Sequence, residues 1–393
     1  MAARFTLRLP KIMFGGGTIE RVRDEAERLG GKRILIVTDD AIERFNLLKE
    51  VEKPLGEGPF ELNVIKTAAE PRVDAAEKIV ETLRLSTFDL VIGIGGGSCM
   101  DMAKVASLMY TNPGTVGQYV GINLVQNPGL PKILIPTTAG TGSEVTPNAI
   151  LARSDNQLKV GIVTPHNIAD VAIVDPQMTM TMPARLTATT GLDALSHAIE
   201  AYISISSNQF SDALALRAVS LISTSLHSAF ADGKDLAARS NMSMAALLAG
   251  IAISIAGTCA GHAAAYSFAV KYGFSHGLSC AISLPYIIKY NAVSCFPKVE
   301  AIAAALGEKL SGLGPEEVAS KAAASITDLM KKLRVPYRLK DLNISREDIP
   351  DLAERMMKTT RLLANNPRNI REEDALQLLE NMWQGRTDGR VSP

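Results

Sequence analysis

The feature that most limits the fold of this chain is a change of texture near its middle: five short, β-branched runs crowd the first half and none follows. RILIVTDD (33–40), ELNVIKT (61–67), DLVIGIGGG (89–97), KILIPTT (132–138) and VAIVDP (171–176) alternate with amphipathic segments such as VDAAEKIVETLRL (73–85). Strands buried on both faces and separated by helices predict a parallel sheet covered by helices on either side. After TMPARLTATT (181–190), alanine-rich helical periodicity runs on to DALQLLENMW (374–383), with Pro183 at the seam. The expected fold is therefore an α/β N-terminal domain over 1–183, with a Rossmann-like dinucleotide-binding sheet, and an all-α C-terminal helical domain over 184–393. The length of 393 residues also favours two domains. PLGEGPF (54–60) and LANNPRN (363–369) read as connectors, and no repeat of domain-building length is visible.

Lysine plus arginine equals aspartate plus glutamate at 41 each, so no overall field attracts nucleic acid or an anionic membrane. A small ligand fits better. The longest apolar stretch, 242–265, is interrupted by serines, glycines, a threonine and a histidine, and reads as a buried core helix rather than a membrane span. The opening MAARFTLRLP has no apolar signal-peptide region, which predicts a cytoplasmic protein. Cys99, Cys259, Cys280 and Cys295 show no CxxC spacing, so buried thiols are expected rather than disulfides or zinc ligands.

GIGGGSCMDMAK (93–104) follows the strand-like LVIGI and opens a helical pattern. Consecutive glycines let a ligand approach the backbone, and the helix N-terminus beyond them offers free N–H groups to a phosphate. A tight strand-to-helix turn is the plainer alternative. Ser98 is placed to cap that helix or to donate its hydroxyl. In the common dinucleotide fingerprint the ribose-binding acid follows the glycines by about 20 residues. Here the acid at a strand end, Asp39, precedes them, which predicts a differently ordered dinucleotide fold. Facing the adenosine ribose, its carboxylate would accept from the 2′-OH and repel a 2′-phosphate, favouring NAD over NADP. As an N-cap for DDAIERF it would instead be structural. PTTAGTGSEVT (136–146), after another strand, supplies glycines and hydroxyls suited to a pyrophosphate or a nicotinamide amide, though turns use the same residues.

In GLDALSHAIEAYIS (191–204), Asp193 and His197 lie four apart, one above the other on a helix face. The chain has five histidines; His262 lies in GTCAGHAAAYSF (257–268) and His276 in KYGFSHGLSCA (271–281). A lone histidine on an apolar helix is often a hydrogen-bonded core residue. One carboxylate with three imidazoles, however, is a mixed oxygen–nitrogen set suited to Fe2+ or Zn2+ with room for a substrate oxygen. His166 and His227 read as structural or surface residues.

The glycine turn, PTTAGTGSEVT, VDPQMTMTMPARLTATTGLDALSHAIEAYIS and the spacing from His262 to His276 resemble the iron-dependent (group III) alcohol dehydrogenase family, a relative of dehydroquinate-synthase-like enzymes. The likeness begins at FGGGTIE (14–20) and fades after about residue 300. It implies four metal ligands, Asp193, His197, His262 and His276, and a pyrophosphate held by Gly95, Gly96, Gly97 and Ser98 with Asp39 at the adenosine ribose. Thr137, Thr138 and Ser143 would line the NAD cofactor, and Lys159 would lie near the nicotinamide ribose. Asp101 and Lys104 belong to the glycine-loop motif, Asp101 being the candidate there for a catalytic part. The chain departs from the family at Tyr266, where many members carry a second histidine discussed as a proton relay.

The implied activity is NAD(H)-linked hydride transfer to or from a small alcohol or carbonyl compound, polarised by Fe2+ or Zn2+, in a homodimer paired through an open edge near FGGG. Two further readings stay open within the superfamily: a hydroxyacid–oxoacid transhydrogenase and a dehydroquinate-synthase-like lyase. A metal- or nucleotide-binding scaffold without catalysis is the third.

Overall fold

The structure is a computed structural model that describes residues 5–68, 70–153 and 159–387. The chain divides into two compact units, one spanning Thr6–Met182 and the other running from Pro183 onward and including Phe5.

The N-terminal unit carries nine strands: β1 (Lys11–Phe14), β2 (Arg33–Thr38), β3 (Glu61–Lys66), β4 (Leu90–Gly95), β5 (Gly121–Ile122), β6 (Lys132–Pro136), β7 (Asn148–Ala152), β8 (Lys159–Val163) and β9 (Val171–Val174). Six of them form an all-parallel sheet in the order β1-β9-β6-β4-β2-β3. β5, β8 and β7 make a separate small sheet, in which β7 and β8 run antiparallel. The five runs seen in the sequence are thus the five inner and outer strands β2, β3, β4, β6 and β9. Five helices accompany them: α1 (Val22–Arg28), α2 (Asp40–Arg44), α3 (Leu47–Gly56), α4 (Val73–Leu83) and α5 (Gly97–Thr111). Three of the seven residues of the expected 54–60 connector are helical, because α3 runs through Pro54 to Gly56.

Each central strand is apolar throughout because its alternate residues feed two cores. Ile34, Ile36, Leu90, Ile92 and Ile94 pack on one face with Val22, Ala26, Val51 and Leu55. Leu35, Val37, Val91 and Leu134 pack on the other with Ile79, Val80, Met100 and Val105. The strand order reverses between β2 and β4: the chain leaves β2 for the β3 edge and returns on the other side at β4. In open α/β sheets the crevice beyond the carboxyl ends of two such strands is where ligands bind.

The C-terminal unit has no strand among its described residues. Its helices are α6 (Ala184–Ile203), α7 (Gln209–Ala231), α8 (Leu236–Ala256), α9 (Ala260–Tyr272), α10 (His276–Ala305), α11 (Pro315–Lys332), α12 (Ile349–Met357), α13 (Thr360–Leu363) and α14 (Glu372–Gln384). α6, α7 and α8 pack on one another, and α10 packs on α6, α9 and α11. The apolar stretch 242–265 is two helices rather than the one expected. Gly257, at φ 68°, ends α8 in a left-handed conformation that favours glycine, and the chain restarts at α9. α7 and α8 are long and apolar enough to cross a bilayer by length and composition alone. In this bundle they are packed helices. Gly191 permits a close helix crossing, since a Cβ there would lie 2.3 Å from Leu226 and 3.0 Å from Met242.

Candidate active site

The residues singled out in the sequence fall into two clusters, one in each unit. In the N-terminal unit, the chain leaves β4 at Gly95 with φ +148°, where a Cβ would meet the Cys99 sulfur at 2.5 Å. Only glycine fits. Gly96 is the N-cap of α5 and has no side chain to cap it, so Ser98 lies inside the first turn, and of its two readings the hydroxyl donor stays open rather than the N-cap. The amide end of a fifteen-residue helix therefore faces the crevice beyond β4 with no side-chain cap. Thr138 borders Gly96, and Thr141 borders Gly97 so closely that a Cβ on Gly97 would lie 2.7 Å away. Thr141 had no assignment in the sequence. Thr137 is buried, its N–H bonded to Gly95 O at 2.9 Å.

Asp39 stands at the end of β2, across the reversal from the glycines. Its Oδ1 accepts from the N–H groups of Ala41 and Ile42 at 2.8 and 3.0 Å, and Cys99 donates its thiol to Oδ2 at 3.3 Å. The capping alternative is thus realised, and the thiol contact ties Asp39 to the first turn of α5. Beneath the turn lies a buried polar network. Lys104, fully buried, donates to Ser143 Oγ at 2.7 Å, Thr146 Oγ1 at 3.2 Å, Asn148 O at 2.7 Å and Asp101 at 3.4 Å. Asp101 also accepts from Ser143 Oγ at 2.5 Å and from Ile150 N at 2.9 Å. Burial pulls the Lys104 ammonium below its ordinary value, against the opposing charge of Asp101. Ser143 and Asp101 are thereby spent on one another. Lys159 opens β8 and pairs with Glu70 at 3.5 Å.

In the C-terminal unit three helices each present a pair of residues four apart: Asp193 and His197 from α6, His262 and Tyr266 from α9, His276 and Cys280 from α10. That spacing stacks each pair on one helix face. The faces converge. His276 Nε2 is 3.6 Å and His197 Nε2 4.0 Å from Asp193 Oδ1, and the His197 and His262 rings stack at 4.9 Å. The His262 and His276 rings meet edge to face at 5.2 Å. α10 reaches α6 this closely because Gly277 has no Cβ, which would otherwise sit 2.3 Å from Thr189 O. The Tyr266 ring lies 5.7 Å from that of His276 and 6.2 Å from that of His262.

Two residues of this cluster had no role in the sequence reading. Cys280, expected to be an inert buried thiol, lies 3.7 Å from the His276 ring nitrogens, and its sulfur and one donor atom each of Asp193, His262 and His276 all fall within 4.8 Å of one another. Glu200, fully buried one turn beyond His197, contacts His262 Nδ1 at 2.6 Å. An acid inside the apolar run AIEAYI was the available signal.

The donor set fits a divalent cation. Asp193 Oδ1 and His262 Nε2 are buried without a hydrogen-bond partner, a cost of roughly 1–3 kcal/mol for each such group unless a cation is coordinated there. The 4.8 Å spread, which holds for Asp193, His262, His276 and Cys280 and does not include His197, is comparable with twice the ~2.0–2.3 Å bond to a first-row metal. Burial by itself pushes the Asp193 carboxyl up, but the positive charge that His197, His276 and His262 can carry around it outweighs burial and holds it below the usual range. A cation would act in the same sense.

Comparison with known proteins identifies the family. The family described as iron-containing alcohol dehydrogenase matches residues 10–176, and the Fe-containing alcohol dehydrogenase C-terminal family matches 187–383. Long-chain-alcohol dehydrogenase 1 of Geobacillus thermodenitrificans is 38% identical over 375 residues, 94% of either chain. A crystal structure of 1,3-propanediol oxidoreductase superposes with a TM-score of 0.93 at 34% identity, covering 97% of this chain and all of the other. The sulfoacetaldehyde reductase of Bifidobacterium kashiwanohense, solved in complex with NAD+, superposes at 0.85 with 29% identity, covering 97% and 99% of the two chains. Joined to the sheet and the three-helix cluster, these matches show that the chain belongs to the iron-containing alcohol dehydrogenase family, the metal-dependent, NAD-linked oxidoreductases of alcohols and carbonyl compounds.

Proposed function

We propose that this chain interconverts a small alcohol and its carbonyl partner with NAD(H), and that Asp193, His197, His262 and His276 hold the divalent metal, Fe2+ or Zn2+. The observation that carries the reading is that Asp193 Oδ1 and His262 Nε2 are buried without a hydrogen bond, in a cluster with the imidazoles of His197 and His276. When bound, the metal polarises the substrate oxygen and the nicotinamide takes or gives the hydride. His197, His262 and Asp193 are buried and keep water from the donor atoms, while His276, with 26% of its side chain exposed, lies on the side open to substrate. Tyr266, packed against two of the imidazole rings, handles the proton at the substrate oxygen.

In the N-terminal unit, Gly95, Gly96, Gly97 and the first amides of α5 take the pyrophosphate, with the Ser98 hydroxyl beside them. Thr137 and Thr138 line the cofactor, Asp39 binds the adenosine ribose, and Lys159 serves the nicotinamide side. Asp101 and Ser143 act as positioning residues, because their bonds to each other and to Lys104 fix the loop under the glycines. The similar proteins are named for a long-chain alcohol, 1,3-propanediol and sulfoacetaldehyde, so the choice of alcohol or carbonyl compound rests on residues other than the four proposed metal ligands. The four cysteines are free, which suits a reducing cytoplasm. The far edge of β1, which pairs only with β9, suits a homodimer; a monomeric mass in light scattering would exclude it.

The test is NADH absorbance with metal-stripped protein given Fe2+ or Zn2+, across short alcohols, diols, hydroxyacids and their carbonyl partners. Turnover should require both metal and NAD(H). His276→Ala should lose it while still binding NAD+, and Tyr266→Phe should slow it while keeping its metal; near-normal turnover by the His276 variant would refute the metal assignment.

A further inference from the structure

We propose that Glu200 is the positioning residue that fixes the tautomer and orientation of His262 for metal binding, a role that rests on the reading of His262 as a ligand. Four donors converge on this fully buried carboxylate. Oε2 accepts from the N–H groups of Cys259, Gly261 and His262 at 2.7, 3.1 and 3.3 Å, and Oε1 faces His262 Nδ1 at 2.6 Å. Three backbone N–H groups already use this carboxyl group as an acceptor, and an acceptor at 2.6 Å from Nδ1 favours the neutral-ring tautomer whose proton is on Nδ1. Nε2 is left with its lone pair, and it is the atom of this ring that has no hydrogen-bond partner. Imidazole ligands are commonly oriented in this way by a carboxylate on the other ring nitrogen.

The local sequence is arranged around the contact. Cys259 occupies the N-cap of α9 and provides no side-chain cap, so Glu200 of α6 supplies the missing acceptor from a different helix. Gly261 has no Cβ; one there would lie 2.6 Å from Glu200 Oε1 and displace the carboxylate. Because one carboxylate holds both the amide end of α9 and the ring, the direction of Nε2 is locked to the helix that carries it. α6 thus supplies two donors, Asp193 and His197, and the anchor of a third.

Glu200→Gln separates these functions. An amide nitrogen turned toward Nδ1 would shift the ring proton to Nε2 and block the lone pair; turned toward the backbone, it would face three N–H donors. Affinity of the metal-stripped protein for Co2+, measured by competition with a chromophoric chelator, should fall about 10–100-fold in Glu200→Gln, with NAD+ binding unchanged. Glu200→Asp should recover part of the loss. In 15N-histidine spectra of the apo protein, His262 should carry its proton on Nδ1 in the wild type and on Nε2 in Glu200→Gln. Co2+ affinity within about threefold of wild type in Glu200→Gln would overturn the proposal, as would a wild-type His262 protonated on Nε2. Should Glu200→Gln fail to fold by circular dichroism, the wild-type tautomer decides alone. His262→Ala is the control: unchanged Co2+ affinity there refutes His262 as a ligand, whereas affinity lost in that variant and kept in Glu200→Gln refutes only the role of Glu200.

Discussion

The carboxylate of Asp39 caps α2 with one oxygen and receives the Cys99 thiol on the other, so its charge is held in place at the β2–β4 crevice by bonds that need no ligand. Capping and cofactor choice can be separated by Asp39→Ser, because serine caps a helix about as well as aspartate but carries no charge to repel a 2′-phosphate. The variant should keep wild-type thermal stability and shift the NADH to NADPH preference in kcat/KM by about tenfold, roughly 1.4 kcal/mol, toward NADPH. An unchanged preference would leave Asp39 as a cap only. At this scale the sequence made the charged residues legible where they sit four apart on a helix, as with Asp193 and His197. It did not disclose Glu200 or Cys280, whose parts depend on which helix faces are brought together. Spacing along one helix says nothing of its neighbours.

Between elements, the metal cluster depends on how closely α10 approaches α6. Gly277→Ala puts a Cβ 2.3 Å from Thr189 O and 3.3 Å from Asp193 Cβ, and the nearer of these is backbone that cannot rotate away. The first turn of α10 must then back off, carrying His276 from its 3.6 Å approach to Asp193. Expected outcomes are a loss of about 1–3 kcal/mol in stability and weaker metal retention through dialysis, with NAD+ binding intact. Wild-type metal content and unfolding midpoint together would show that the helix contact is not what assembles the donors. The same scale separates strands that could be read from those that could not. β2, β4, β6 and β9 are buried along almost their whole length and announce themselves as apolar runs, and β3 as an edge strand still follows the pattern. β1 and β8 are mostly only partly buried, β7 is a short NAILA run, and β5 has two residues; their strand state comes from pairing with a distant partner.

For the whole molecule, the dependence of stability on pH turns on groups that folding removes from water. Glu144 is fully buried beside the Lys104 network, and burial pushes its carboxyl up to about 7, against opposing contributions from its own backbone N–H and the Lys104 charge. A carboxyl whose folded value exceeds its unfolded one near 4.5 binds its proton more tightly in the native chain. Its stabilisation is complete below about pH 4.5 and is lost as pH rises through about 7, a swing on the order of 3 kcal/mol. The acids held low, such as Asp193, act in the opposite sense and below pH 4. Lys104, held below its ordinary value, adds stability as pH rises above its folded value, which runs counter to Glu144. Glu144→Gln keeps the volume and removes the titration. Urea midpoints taken from pH 5 to pH 8 should therefore fall in the wild type relative to this variant, and the gap between the two curves isolates Glu144 from every other group. Curves that stay parallel across the range would mean that Glu144 remains ionised in the fold, the nearby charge of Lys104 then offsetting the cost of burying it.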